Sequence, residues 1–482
     1  VGLAGAAADA RPPIQLSPRN PHYFLFRGKT IALVTSGEHY GAVLNGDFDF
    51  RKYLATISGA GLNMTRLFGG SYVEVPGQSF GIKRNDLAPA PGRFIAPWAR
   101  SGTDGYAGGG GKFDLTQWNP EYFGRLHAFL DDASQRGIVV ELTLFSAHYG
   151  EAQWNLSPFN RANNVNDTTA IDWKKLNTLD NGNIGGFQEA YARKLVREIA
   201  AYDNVILEIQ NEPWSDRPVF SGVINPYLFP PNRDKFPNSI DLPDEMEMAF
   251  EARVAEWIAS EEAAQPGKHL VSQNFSNFRF AVPAAIPGVS IVSFHYAYPE
   301  AALWNLGVGK AISYDETGFL GRDDDAYRRQ AWNFMMAGGG VFDALDYSFS
   351  PGHEDGTDTE PNGPGGGSAE LRRELKVLLN FLESMPLDDL HPDGSVVASA
   401  PGVVAHALSA PDHAYAIYFE GSHDKTAPDF TLALPRSRYH AEWIDVKTGA
   451  TISADMQWND GVATVHTPAF ADGIALRITK GH

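Results

Sequence analysis

The strongest constraint on the fold is a series of eight short strand-like runs, each roughly followed by a stripe of apolar residues at helical spacing or by a stunted link. The runs are Lys29–Thr35, Asn63–Phe68, Ile138–Phe145, Asn204–Gln210, His269–Gln273, Val289–Phe294, Lys310–Tyr314 and Gly340–Tyr347. Continuous apolar runs of this length suit strands buried on both faces, the signature of a parallel sheet. The first follows Tyr23–Phe26 across Arg27-Gly28 and reads as the second arm of a hairpin. Between the runs lie Phe50, Leu54, Ile57, then Phe123, Leu126, Leu130, Ala133, then Phe187, Tyr191, Leu195, Ile199, then Phe250, Val254, Trp257, Ile258. A helix at about 323–337 and the stripe Leu371, Leu375, Leu378, Leu379, Leu382 complete the series. Eight βα units predict an α/β chain folded as a (β/α)8 barrel. A doubly wound sheet would need a Gly-rich phosphate turn after an early strand, and the sequence has none.

Beyond Pro386 the period changes. Short runs at Val396–Ala400, Val403–Leu408, Tyr415–Tyr418, Phe430–Leu434, Ala441–Asp445, Ala463–His466 and Ile474–Ile478 are separated by turns such as Lys447-Thr448-Gly449 and Asn459-Asp460-Gly461. This predicts a small all-β sandwich. The organisation expected is an N-terminal segment 1–21, a catalytic barrel 22–385 and a sandwich 386–482. The opening Val1–Ala10, small and apolar, reads as the tail of an export signal and predicts a secreted or periplasmic protein; a disordered terminus has the same composition.

Loop lengths point to one rim. Helix-to-strand links are short, whereas strand-to-helix links at about 69–118, 146–184, 213–243 and 348–367 are long. They project from the C-terminal ends of the strands, where barrel active sites are built, although oligomer contacts would also use such loops. With 39 basic and 58 acidic residues the net charge is −19, which argues against nucleic-acid or anionic-membrane partners. Zero cysteines exclude disulfides, thiolate metal sites and cysteine nucleophiles. No run of 18 apolar residues predicts a membrane span.

Two strand ends carry carboxylates. Strand four ends in Glu208-Ile209-Gln210-Asn211-Glu212-Pro213-Trp214 and strand seven in Ser313-Tyr314-Asp315-Glu316-Thr317-Gly318. These strands face each other across the mouth of a barrel. Two carboxylates there are what glycoside hydrolysis requires, one to protonate the leaving oxygen and one to attack or to activate water. An ionised Glu316 is expected to raise Glu212 and keep it protonated.

Asn211-Glu212-Pro213, preceded by Tyr202–Glu208, resembles the acid/base strand of the large clan of retaining glycoside hydrolases with (β/α)8 barrels, which includes family 5 cellulases and mannanases. Asp315-Glu316-Thr317-Gly318 resembles its nucleophile strand, and Arg66 matches its arginine that braces the nucleophile. Trp443–Gly449 looks like the W-x-D-x-x-T-G stretch of β-sandwiches appended to such barrels. The resemblance implies Glu212 as general acid/base, Glu316 as nucleophile, Asn211 on the sugar 2-hydroxyl, and carboxyls about 5–5.5 Å apart. It implies no cofactor and no metal, with an oligo- or polysaccharide as substrate. Plainer roles exist: Arg66 in a surface ion pair, Asn211 capping a strand end, His295 as a satisfied core histidine.

Strand six departs from the clan's H-x-Y pattern, reading His295-Tyr296-Ala297-Tyr298-Pro299. The Tyr-Pro match favours Tyr298 over Tyr296 as donor to Glu316. Where the clan often has a Trp at the end of strand eight, this chain has Asp346-Tyr347-Ser348-Phe349. Glu38, His39, His148 and His295 are expected to shape an unusual sugar pocket, with Trp214 and Trp154 as stacking platforms. Arg66, Arg84, Arg93, Arg100 and Arg161 leave uronic acids open as substrates. Two rivals stand beside the glycosidase: a metal-dependent barrel hydrolase using the rim histidines, which lacks the usual His-x-His at strand one, and a barrel that binds sugar without cleaving it. Sugar, linkage, endo or exo action and oligomeric state are not readable from the chain.

Overall fold

The computed structural model describes residues 11–221, 240–360, 362–459 and 461–481. The segment Val1–Ala10, most of the loop 213–243 and Asp460 of the last turn lie outside the described residues. Eight parallel strands form one sheet: β1 (Leu33–Gly37), β2 (Met64–Phe68), β3 (Val139–Ser146), β4 (Val205–Asn211), β5 (Leu270–Asn277), β6 (Ile291–His295), β7 (Ala311–Glu316) and β8 (Val341–Leu345). Neighbours follow chain order from β2 to β8, and β8 pairs with β1. Every residue of these strands is buried, the polar ones among them included. Among the described residues no ladder joins β1 to β2. Asn63 closes that seam with its side chain: Val34 N donates to its Oδ1 (3.0 Å) and its Nδ2 donates to Ala32 O (2.8 Å).

Helices α1 (Phe50–Gly59), α2 (Pro120–Gln135), α3 (Ile184–Ile199), α4 (Glu245–Glu262), the short α5 (Pro299–Leu303), α6 (Asp324–Met336) and α7 (Ala369–Glu383) surround the sheet. Their starts are encoded locally. Asp49, Asn119, Asp244, Asp323 and Ser368 each accept a backbone N–H of the first turn, and Pro120 follows Asn119 at the first helical position. Gly137, at φ 72°, ends α2 where a side chain would be strained. Among the described residues no helix is long and apolar enough to cross a membrane.

The hairpin Phe24–Phe26/Lys29–Ile31 is separate from β1 and joins Gln15–Leu16 in a three-stranded sheet. It packs under the barrel: Ile14, Phe24, Phe26 and Ile31 cluster with Leu33, Met64, Val139, Ile206, Leu270, Ile291, Ala311 and Val341 at the strands' N-terminal ends. That end is plugged, and the opposite rim carries the long loops. The loop after β2 contains an antiparallel hairpin, Trp98–Asp104 with Gly111–Trp118.

The C-terminal part is all β. One antiparallel sheet contains β9 (Val404–Ala410), β10 (Ala414–Glu420), β12 (Ser437–Asp445), β13 (Thr451–Trp458) and β15 (Gly473–Lys480), with His391–Pro392 at its edge. A second contains Val397–Ser399, β11 (Asp429–Leu434) and β14 (Gly461–His466). Phe419, Phe430, Trp443 and Trp458 fill the core between them. The larger sheet's other face meets the barrel, where Trp332 of α6 stacks on Tyr418 (centroids 5.2 Å, 25°). In the Trp443–Gly449 stretch, Asp445 Oδ1 accepts the N–H groups of Lys447 (2.9 Å) and Thr448 (2.8 Å), fixing the turn from β12 to β13.

Candidate active site

Arg66 is the hub at the barrel's C-terminal mouth. It lies mid-strand in β2, its side chain fully buried. Its Nε and Nη2 donate to Glu208 (2.8 and 2.7 Å), Nη1 to Glu316 (2.9 Å) and Nη2 also to Asn211 (2.8 Å). The fork of the guanidinium thereby holds residues of β4 and β7 in one plane of contacts. Thr143 and Asn274 complete the shell of Glu208.

Glu316 ends β7. The β6–β7 register slips between Ser293 and His295, so consecutive Asp315 and Glu316 both reach the hub. Glu316 also accepts Tyr296 Oη (2.8 Å). Glu212 follows β4 in a left-handed conformation (φ 47°), its N–H held by Asn274 Oδ1 (3.0 Å). Its carboxylate accepts Tyr149 Oη (2.7 Å) and lies 2.9 Å from His295 Nδ1. That same nitrogen is 3.5 Å from Glu316, and carboxylate oxygens of Glu212 and Glu316 come within 4.8 Å of each other.

The pocket above them is lined by His39, Tyr40, Phe68, Tyr72, Glu74, Phe80, Leu87, Tyr149, Asn211, Glu212, Tyr296, Glu316, Phe319, Leu345 and Tyr347. Arg66, Asn211, Glu212, Glu316, His39, His295 and Tyr296 therefore gather in or just beneath one pocket. The remaining expected residues stand elsewhere. Tyr298 is the N-cap of α5 and stacks on Phe278 (6.0 Å), and Tyr296 is the tyrosine that donates to Glu316. Trp214 is only 1% exposed and meets His295 edge-on (5.4 Å, 85°); its faces are covered and it buttresses the histidine where a platform was expected. Trp154 is likewise buried, against His148. His148 sits behind Tyr72 and lets the backbone N–H groups of 148 and 149 bind Asp216. Its imidazole is pushed down to about 4 by burial.

The electrostatics correct one expectation. Burial favours a protonated Glu212, but hydrogen bonds from His295 and Tyr149 and the charge of Arg66 outweigh it, and the carboxyl lies below its ordinary value. His295 moves the other way. Burial would lower it, and the charges of Glu316 and Asp315 lift it well above an ordinary histidine. Of this pair, His295 is the group that holds the proton. The rim histidines do not converge: His39 and His148 are absent from the two carboxylate–imidazole triads around His295, Glu208–His295–Asp315 and Glu212–His295–Glu316. Arg66 is the cation embedded in both.

Sequence reasoning missed Tyr149 as a partner of Glu212, Glu74 as a pocket residue, and the aromatic walls Tyr40, Phe68, Tyr72, Phe80 and Phe319. Tyr149 follows the noted His148, but no spacing rule marks it.

A solved structure titled "Glycoside hydrolase" aligns with 98% of this chain and 97% of its own at TM-score 0.63 and 13% identity. A glycoside hydrolase family 5 structure from Bacteroides vulgatus ATCC 8482 aligns over 97% and 93% at TM-score 0.63 and 12% identity. A putative glycoside hydrolase from the same organism aligns over 99% and 84% at 0.64 and 14%. The chain shares its fold, end to end, with glycoside hydrolases. At these identities the likeness is one of fold. Residues 80–174 match a family described as a domain of unknown function, DUF6298. That stretch spans most of the long loop after β2, then α2, β3 and part of the next loop, including Phe80 and Tyr149 but neither central glutamate. No curated protein matches the sequence.

Proposed function

We propose that the protein is a retaining β-glycosidase acting on an oligo- or polysaccharide, with Glu316 as nucleophile and Glu212 as acid/base. The observation that carries this reading is the approach of the Glu212 and Glu316 carboxylate oxygens to within 4.8 Å across one pocket. Retaining enzymes hold their carboxyls about 5–5.5 Å apart, whereas inverting enzymes leave about 6.5–9.5 Å for a water. The shared fold with glycoside hydrolases adds support.

Glu316, gripped by Arg66 and Tyr296, attacks the anomeric carbon and forms a glycosyl ester as the glycosidic C–O bond breaks. Glu212 gives the departing oxygen a proton. It must first take one up, and His295, 2.9 Å away, is the neighbour that holds one. In the second step Glu212, again a base, removes a proton from water as that water cleaves the ester. Asn211, which Arg66 and Tyr149 orient, takes the sugar 2-hydroxyl in this reading. Export to the periplasm or medium, proposed from the composition of Val1–Ala10, suits such a substrate.

The test is turnover of aryl β-glycosides and β-glucan or β-mannan oligosaccharides by wild type, Glu212→Ala and Glu316→Ala. Glu316→Ala should be inactive. Azide should rescue Glu212→Ala on an activated aryl glycoside and give a glycosyl azide of retained configuration. Wild-type rates in both variants would overturn the assignment, and sugar binding without turnover by wild type would make the barrel a binding protein.

A further inference from the structure

A second polar wall of the pocket is left unused by this mechanism. Glu74, only 3% exposed, lines the pocket from within the long loop after β2. Its Oε2 accepts Asn85 Nδ2 (2.5 Å) and faces His39 Nε2 (3.2 Å), and its Oε1 accepts Tyr72 Oη (3.3 Å). A carboxylate offers about four acceptor positions, so one remains. The His39 ring is fixed between Tyr40 (5.7 Å, 21°) and Tyr347 (6.1 Å, 28°). Its Nδ1 is buried and has no partner among the described residues. Burial would push this histidine down, but Glu74 and Asp86 outweigh it and carry it up to about 9, so both ring nitrogens bear protons at neutral pH. An acceptor vacancy beside an orphaned donor, in a pocket walled by aromatic rings, is the complement of a sugar's hydroxyl groups.

The charge on the wall narrows the sugar. Glu74, Glu212 and Glu316 line the pocket, and no arginine or lysine does so among the described residues. The arginines that kept uronic acids open are committed elsewhere: Arg84 to Asp358 (2.6 Å), Arg93 to Asp47 (2.6 Å), Arg161 to Asp167, and Arg100 to Gly111 O (2.9 Å) over the Phe113 ring. A uronate would bring a fourth carboxylate to a wall whose one cation among the described residues, His39, is already paired with Glu74 (3.2 Å). We propose that Glu74 and His39 are the specificity wall of the pocket, reading adjacent hydroxyls of a neutral pyranose and excluding uronic acids. This deepens the glycosidase reading and rests on it for the position of the sugar.

The experiment compares wild type, Glu74→Gln and Glu74→Ala on 4-nitrophenyl β-glucoside, β-mannoside, β-galactoside, β-xyloside and β-glucuronide, and on monodeoxy analogues of the best of them. Binding of the same compounds is followed by titration calorimetry, with thermal midpoints as the folding control. Glu74→Gln should lower kcat/KM on the best neutral glycoside by about 10- to 100-fold, the loss of a hydrogen bond to a charged group. One deoxy analogue should lose less than about threefold on the same substitution, because the hydroxyl that Glu74 reads is already missing. The glucuronide should be the poorest substrate. An equal fall on parent and all deoxy analogues, or glucuronide turnover matching the glucoside, overturns the proposal. If wild type turns over no glycoside, the glycosidase reading fails by itself. Neutral-selective binding lost in Glu74→Gln then still supports the wall, and absent or unselective binding overturns it.

Discussion

Replacing Arg66 by Met keeps an unbranched apolar stem and removes the guanidinium and its charge from the centre of the site. The guanidinium makes four hydrogen bonds of 2.7–2.9 Å to Glu208, Glu316 and Asn211, with Asp315 at 3.8 Å, and is wholly buried. Removing one partner of a buried ion pair costs about 3–5 kcal/mol, because the other charge is left uncompensated. Here three carboxylates lose their cation, so about 4 kcal/mol is a sober expectation at pH 8, roughly a thousandfold in the unfolding constant. The pH dependence distinguishes charge from packing. Burial already raises Glu208 despite Arg66; at Asp315 burial pushes up, but Arg66 and His295 outweigh it and hold the carboxyl low. Without Arg66 both folded-state values should rise, Glu208 further above that of the unfolded chain. A group raised on folding contributes stability below its unfolded value and loses it as pH rises. The deficit should therefore be small near about pH 4–5 and grow toward pH 8. Urea unfolding followed by tryptophan fluorescence at several pH values measures it, with Arg66→Lys expected between wild type and Arg66→Met because it restores the charge without the fork. A loss under about 1 kcal/mol at pH 8, or a deficit that grows on acidification, would refute the electrostatic account.

Three further outcomes are expected. Tyr296→Phe removes the 2.8 Å donor to Glu316 and should reduce kcat/KM on an aryl β-glycoside by about 10- to 150-fold, while Tyr298→Phe stays within about threefold; equal losses would undo the assignment of Tyr296. Asn63→Ala opens the seam between β1 and β2 and should destabilise the barrel by about 2 kcal/mol and speed hydrogen exchange at Val34, whereas unchanged exchange would mean the side chain is not the closure. Glu38 is buried, and burial together with the charge of Asp86 raises it well above an ordinary carboxyl, so wild type should lose thermal stability relative to Glu38→Gln as pH rises from about 5 to 9; a gap independent of pH would contradict it.

The strand ends were legible because burial imposes itself on composition. A largely apolar run that ends in Asn211-Glu212 or Asp315-Glu316 marks where a barrel strand reaches the rim, and the structure puts all four residues there. Cross-strand relations were not legible. The shift of Glu212 is downward because His295, two strands away in the sheet, holds the proton, and no spacing within β4 reports that contact. Tyr296 was passed over for Tyr298 on a dipeptide match, whereas the β6 strand stops at His295 and Tyr298 starts a helix. Trp214 looked like a platform by type and position, but its ring closes the space behind His295. Glu74 sits in a loop about fifty residues long with no periodicity to set it apart. The Phe24–Ile31 hairpin merged with β1 in the pattern because both are apolar. Only the fold separates a plug beneath the barrel from a stave within it.

What hid the site most is its backbone. Among the described residues eleven non-glycine residues have positive φ, and six of them line the pocket: Tyr40, Phe80, Tyr149, Glu212, Tyr296 and Phe319. Left-handed turns are usually signalled by Gly, Asn or Asp, and these are aromatic residues and a glutamate. Each such conformation costs on the order of 1–3 kcal/mol and persists only where its surroundings over-determine it. Three are pinned at both ends. Glu212 is held by Asn274 at its N–H and by His295 and Tyr149 at its carboxylate. Tyr296 N donates to Glu316 O (3.0 Å) and its hydroxyl to the same residue's carboxylate. Tyr149 N donates to Asp216 (2.8 Å) and its hydroxyl to Glu212. A left-handed residue just past a strand breaks the two-residue alternation that would otherwise fix which way it points. The side chains that meet at the pocket are therefore the ones for which strand periodicity carries least information, and the strain that obscures them is supported by the contacts that join Glu212 to Glu316.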